Sequence, residues 1–353
     1  MNNKKWTLGC LLLVFIILVS IALLTVILDP YFHYHKPLPG VSYKLDNQRY
    51  QNAGILKHFP YDMIITGTSM TENFKASEAD VLFGATSVKV PFSGGSYKEI
   101  GDNLTYAFAC NSGIRYVVRG IDCNRIADHK DAMTYEMSMY PWYLYDDSPF
   151  NDVTYVLNKS ILFEDTLLTI GRTILGFPGT TFDEYSNWAK SYSFGKEALL
   201  KTYIRPELSN QIWQVEQMDY IQLQESVQQN FLSHVQAHPE TEFFYFFTPY
   251  SIVWWDSINR AGKLEGYVAL MEELSRILIE YDNVHLFSFF ENTDLICNLD
   301  KYKDSLHYSE DINSQILQWM YHDTYRLTEE NYIEHWNSVL TFYNSYDYEA
   351  LFE

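Results

Sequence analysis

Met63-Ile-Ile-Thr-Gly-Thr-Ser69-Met-Thr-Glu-Asn73 is an apolar run of strand length that breaks at a glycine and presents a serine just beyond it. Runs of the same length recur along the chain. Asp62-Met-Ile-Ile-Thr66 is the first, followed by Ser87-Val-Lys-Val-Pro-Phe92, Tyr116-Val-Val-Arg-Gly-Ile121, Glu242-Phe-Phe-Tyr-Phe-Phe247 and Val284-His-Leu-Phe-Ser288. Helical patterns lie between them, at Tyr97 to Cys110 and at Tyr267 to Tyr281, where Leu270, Leu274, Ile277 and Leu278 share one face. Strands alternating with helices predict parallel βαβ units. The expected fold is α/β, three α/β/α layers around a mostly parallel five-stranded sheet.

One segment interrupts this rhythm. About a hundred residues, from about 126 to 235, separate the third strand from the fourth, which is too long for a connecting loop and predicts a helical insertion or cap. It is rich in aromatics, including Tyr140-Pro-Trp-Tyr-Leu-Tyr145. Such insertions shape pockets, because ligands bind beyond the carboxyl ends of parallel strands.

The N-terminus needs a different solvent. No charged residue occurs from Trp6 to Leu28, a run long enough as a helix to cross a hydrocarbon core of about 30 Å. The one small-x-small pattern, Ser20-Ile-Ala22, lies inside the run, so residues 1–29 read as an uncleaved signal anchor rather than a cleaved peptide. Lys4 and Lys5 precede it and Asp29 follows. The positive-inside tendency predicts a single-pass membrane protein with a cytoplasmic N-terminus and an extracellular remainder. Cys10 precedes most of the apolar run, the wrong place for a lipoprotein site.

The expected organisation beyond the anchor has three parts: a Pro-broken juxtamembrane segment at 30–60, a main domain at 61–325 with its insertion, and an aromatic and acidic extension at 326–353. His33 and His35 lack a Cys or acidic cluster at ligand spacing, so they read as structural and no metal or cofactor is expected. Cys110 and Cys123 belong at opposite edges of the sheet, roughly 20 Å apart for a six-residue strand, too far for a disulfide. A formal charge of -20 excludes nucleic acid as a partner. The 29 Tyr, 22 Phe and 8 Trp suit a carbohydrate groove or a plain core.

Chemistry concentrates at two places. Ser69 stands at the carboxyl end of the first strand, where the following helix would point N-H groups and its positive end at a developing oxyanion. Asp304-Ser-Leu-His307 precedes an amphipathic last helix with Ile312, Ile316, Leu317 and Trp319. A serine is a weak nucleophile until a base takes its proton, and a carboxylate fixes the tautomer of that base. Ser69, His307 and Asp304 supply all three groups.

These motifs resemble the SGNH, or GDSL-like, hydrolase superfamily, whose sheet is flavodoxin-like. Its Gly-Asp-Ser block matches Gly67-Thr68-Ser69, with Thr68 for the usual Asp, and its late Asp-x-x-His matches Asp304 to His307. The second block, which gives a glycine N-H to the oxyanion hole, falls on Phe92-Ser93-Gly94-Gly95-Ser96, with Gly94 favoured and Gly95 the competitor. The third, Gly-x-Asn-Asp, is replaced by Gly120-Ile-Asp122-Cys123-Asn124, so either Asn124 or Asp122 takes the Asn position. An anionic Asp122 facing the oxyanion would oppose catalysis.

The layout, one anchor and an outward domain, resembles the accessory proteins of teichoic-acid D-alanylation and of alginate and peptidoglycan acetylation. That implies a serine esterase or O-acyltransferase acting on small acyl esters of a cell-envelope polysaccharide or teichoic-acid-like polymer. One span also implies a separate membrane acyl-donor protein if the acyl group is made inside the cell. The Gly-x-Ser-x-Gly elbow of α/β-hydrolases is absent. The rival from another class is a non-catalytic surface scaffold or polymer-binding protein of the same fold.

Overall fold

The computed structural model describes residues 3–352. The chain divides into two compact units, Met1–Pro60 with Tyr135–Thr181, and Tyr61–Thr134 with Phe182–Glu353. The insertion expected at 126–235 is therefore not one body. Its 135–181 part belongs with the N-terminal segment, because Leu144, Tyr155 and Ile161 bury their side chains in one cluster with Tyr31.

In the first unit, the apolar run forms helix α1 (Asn3–Leu28), long and apolar enough to span a membrane or act as a signal anchor. It ends at Asp29, a buried residue with φ +43°. The Asp29 carboxylate accepts from the backbone N-H groups of His33 (3.0 Å), Tyr34 (2.7 Å) and His35 (3.0 Å) and from the Tyr155 hydroxyl (2.8 Å). A buried charge is tolerable when its lone pairs are filled in this way. Tyr43 Oη donates to Leu28 O at 2.8 Å, and His35 Nε2 lies 3.2 Å from both Val26 O and Ile27 O, so the last carbonyls of α1 have partners.

His33 pairs with Asp152 at 3.3 Å, a structural contact. Helix Gln48–His58 has no apolar period that marks it in the chain. Gln51, Asn52, Ala53, Gly54, Ile55 and Leu56 are all buried, so the helix is covered on every side over more than a turn. Gln51 receives backbone N-H groups from Asp46 and Asn47 and donates to Pro30 O and Lys44 O, which closes the coil around it.

The second unit holds the sheet. Strands β1 (Met63–Thr66), β2 (Ser87–Lys89), β3 (Tyr116–Ile121), β4 (Glu242–Phe247) and β5 (Val284–Ser288) are parallel. A sixth, β6 (Arg326–Leu327), joins β5 antiparallel, giving the order β2-β1-β3-β4-β5-β6. The expected five strands are thus six. Two residues pairing at an edge leave no periodic signal, which is why β6 is silent in the sequence.

Apart from strand ends, every residue of β1 to β4 is buried, as a parallel sheet covered on both faces requires. Helix Tyr97–Cys110 has the expected bounds, because Ser96 and Glu99 form a capping box at its start.

The region 326–353 is more than an extension. Helix Tyr332–Ser345 buries Trp336 and Tyr343, and Tyr343 stacks on Trp255 with ring centroids 3.8 Å apart. The order of strands reverses between β1 and β3, so the crevice beyond their carboxyl ends is where a ligand would bind. Ser69 follows β1 and Asp122 follows β3.

Candidate active site

Gly67 ends β1 with φ +144°, and a Cβ there would lie 2.6 Å from Thr71 Cγ2. The turn therefore needs glycine for both conformation and space. Thr68 Oγ1 accepts from Met70 N at 3.3 Å and Thr71 Oγ1 donates to Thr68 O at 2.8 Å, which sets a single 3-10 turn, Ser69–Thr71. The expected helix after Ser69 is only this turn. Its dipole contribution is correspondingly small, and the next helix begins at Ala76.

Asp304 and His307 sit in a loop closed by a bridge between Tyr302 and Tyr308 and by Lys303 N donating to His307 O at 3.0 Å. Tyr308 Oη (3.1 Å) and Asn313 Nδ2 (2.9 Å) both donate to Met70 O, so the loop is tied to the residue after Ser69. Ser251 ties the other side, through Ser305 O, at 3.1 Å from its N-H and 2.8 Å from its hydroxyl.

The consequence is a line of three groups. Ser69 Oγ lies 2.8 Å from His307 Nε2, and His307 Nδ1 lies 2.9 Å from each Asp304 carboxylate oxygen. No protein-family model and no curated protein matches the chain. Among solved structures, a "putative platelet activating factor from Streptococcus pneumonia" is similar at 16% identity over 78% of this chain and 89% of that one, with a TM-score of 0.37.

A carboxylate beside Nδ1 requires a proton on that nitrogen, which leaves Nε2 bare to accept from Ser69. Burial alone would raise the Asp304 pKa. The hydrogen bond and charge of His307, with the backbone N-H groups of His307 and Leu306, outweigh it and hold the carboxyl below its usual range.

Asp122 is not a free anion aimed at an oxyanion. Thr68 Oγ1 donates to its Oδ2 at 2.5 Å, and the Tyr250 hydroxyl donates to its Oδ1. Burial pushes its pKa up, against those two bonds. Asn124 is exposed, and its Oδ1 accepts from Trp254 Nε1 at 2.7 Å, so its Nδ2 is the end left to donate. The Gly95 N-H is committed to Phe92 O at 2.8 Å, whereas among the described residues the Gly94 N-H and the Ser69 N-H take no partner. Gly94 has φ +62°, and its carbonyl is held by Arg125 (2.8 Å) and Thr134 (2.7 Å).

Sequence reasoning missed Trp188. Its Nε1 donates to Ser69 O at 3.1 Å, and its ring meets His307 edge-on with centroids 5.3 Å apart. Lys303 Nζ covers the Trp188 ring at 4.2 Å and the Tyr192 ring at 3.7 Å, and lies 3.9 Å from Asp304. The signal available was the aromatic density of Trp188, Tyr192 and Phe194, which does not say which of them reaches the serine. Lys89 was also missed as a support. Fully buried on β2, it donates to Glu72 O (2.5 Å) and Phe74 O (2.9 Å), and burial pushes its pKa down to about 7.

Proposed function

We propose that the protein is a serine esterase or O-acyltransferase of the SGNH type, with Ser69 as nucleophile, His307 as base and Asp304 as its orienting acid. The observation that carries this is the 2.8 Å contact of Ser69 Oγ with His307 Nε2, backed by Asp304 on the other ring nitrogen. The parallel strand order supports the same fold type, flavodoxin-like with the nucleophile after β1.

In the reaction, Nε2 takes the Ser69 proton as Oγ attacks the carbonyl carbon of an ester. Negative charge moves to the carbonyl oxygen, held by the N-H groups of Ser69 and Gly94 with the Asn124 amide as third donor. Asp304 stabilises the imidazolium. The tetrahedral intermediate collapses, His307 returns the proton to the departing alkoxide, and an acyl-serine remains. Water then gives an esterase, and a sugar or polyol hydroxyl gives a transferase.

The substrate we assign is a small acyl ester on a cell-envelope polymer, a polysaccharide or teichoic acid, outside the cell. This rests on the layout: one apolar N-terminal helix, lysines before it and the remaining chain after it. A transferase of this layout whose acyl group is made inside the cell needs a separate membrane acyl-donor partner.

The test is labelling of the purified full chain by a fluorophosphonate, beside Ser69→Ala and His307→Ala. Labelling that disappears in both variants, with unchanged unfolding transitions, is the expected result. A folded wild-type chain that stays unlabelled overturns the enzyme reading in favour of a non-catalytic scaffold or polymer-binding protein.

A further inference from the structure

In the first unit, residues 161–177 are built inside out. The segment winds as a π-helical turn, Ile161–Thr166, into helix Leu167–Ile174. Apart from Ile161, the residues it buries are threonines: Thr166 is 0% exposed and Thr169 is 3% exposed. Leu162 and Ile170 are half-buried, and the remaining large apolar side chains face away. Ile174 is 78% and Leu175 73% exposed, and Phe163, Leu167, Leu168 and Phe177 are exposed as well. A helix in water buries its apolar stripe and shows its polar one, so the reverse arrangement needs an apolar medium outside.

The segment is also fixed in place. Tyr31 Oη donates to Asp165 Oδ2 at 2.8 Å, Ser42 N to Thr173 Oγ1 at 3.0 Å, and Ser42 Oγ to Phe177 O at 2.5 Å. Its first turn, Ile161–Thr166, packs against α1, whose buried residue is Thr25 while residues 3–20 are exposed. A hydrocarbon core of about 30 Å takes up roughly 20 helical residues. If α1 spans a bilayer, its turns from Ile21 to Leu28 lie at the outer edge of that core. Whatever packs against them is at lipid depth.

We infer that residues 163–177 form a second, interfacial membrane contact, a collar that places Phe163, Leu167, Leu168, Ile174, Leu175 and Phe177 among the acyl chains of the leaflet that α1 leaves. The occupant is lipid, because the exposed apolar face starts at the turn that packs against α1, a helix long and apolar enough to cross a membrane. With a chain charge of -20, the attraction is apolar burial and not charge.

The test uses the full chain in vesicles of phosphatidylcholine and phosphatidylglycerol, with bimane placed at single cysteines. Ile174→Cys, Phe163→Cys and Val81→Cys are each made with Cys10, Cys110 and Cys297 replaced by Ser, which leaves only the fully buried Cys123 beside the labelled position. Native Cys10, in a chain with Cys110 and Cys297 replaced by Ser, reports on α1, and Val81→Cys, 84% exposed in the second unit, is the water reference. Phospholipids brominated in the acyl chain should quench positions 163 and 174 several-fold more than position 81, with iodide showing the reverse. Iodide quenching at 163 and 174 equal to that at 81 overturns the inference. So does shielding from both reagents, which would mean that protein, a second copy of this chain, covers the face. Absence of lipid quenching at Cys10 removes the anchor and the collar with it.

Discussion

The Thr68 hydroxyl donates to the Asp122 carboxylate at 2.5 Å, one residue before Ser69 and across the boundary between β1 and β3. Both lie in blocks where the sequence departs from the pattern it resembles: Thr68 stands for Asp before the serine, and Asp122 belongs to the third block, where either it or Asn124 takes the Asn position. They are each other's partners. An aspartate at 68 would face Asp122 as a second buried carboxylate, and like charges at hydrogen-bond distance cannot both ionise. A hydroxyl at 68 instead donates to the acid and still caps Met70 N-H.

Thr68→Asp should therefore destabilise the chain by roughly 3–5 kcal/mol, the range for an uncompensated buried charge. In Asp122→Asn the amide can donate to that aspartate, so the double variant should recover much of the loss. Urea unfolding of the four chains of this cycle in detergent micelles measures the coupling. Additive losses would show that the 68–122 contact does not set the turn.

Trp188→Phe removes the N-H that Ser69 O accepts and keeps a ring beside His307. Loss of one hydrogen bond costs about 1 kcal/mol, so fluorophosphonate labelling should slow by about fivefold. Trp188→Ala also loses the edge contact with the imidazole and should slow it further. Equal rates in the wild type and both variants would make the tryptophan a bystander.

Asp304→Asn should lower the labelling rate by roughly two to four orders of magnitude, through loss of the tautomer that leaves Nε2 bare. Its effect on stability has a definite sign. The folded-state pKa of Asp304 is depressed, so the carboxylate contributes stability above its unfolded value, about 3.9, and loses it as pH falls through the lower folded value. The stability difference between wild type and Asp304→Asn should shrink from pH 6 toward pH 3. A difference that grows on acidification would contradict the assignment.

Lys89 gives the opposite dependence at the alkaline side. Its folded pKa is about 7, against roughly 10.4 unfolded, because burial penalises the ammonium. Between these values the unfolded chain holds a proton that the folded chain has released. The stability of wild type relative to Lys89→Met should rise with pH across this window, by at most about 1.4 kcal/mol per unit. Urea midpoints at pH 7 and pH 9 check it, and a flat difference would mean that Lys89 stays charged in the fold.

The sequence by itself determined what repeats locally or is written in residue chemistry. Five parallel strands follow from apolar runs, helix Tyr97–Cys110 from its period, α1 from an uncharged run, and the Ser69, Asp304 and His307 candidates from residue type and order. Only the tertiary structure decided what depends on residues far apart in the chain. Thr68 and Asp122 are 54 positions apart, and Trp188 and Ser69 are 119. The two-residue β6, the division of the 126–235 region between two units, and the outward apolar face of residues 163–177 belong to the same class. A side chain's own pattern fixes which face of an element it occupies, but not which distant backbone meets that face, because that choice is made by packing summed over the whole unit.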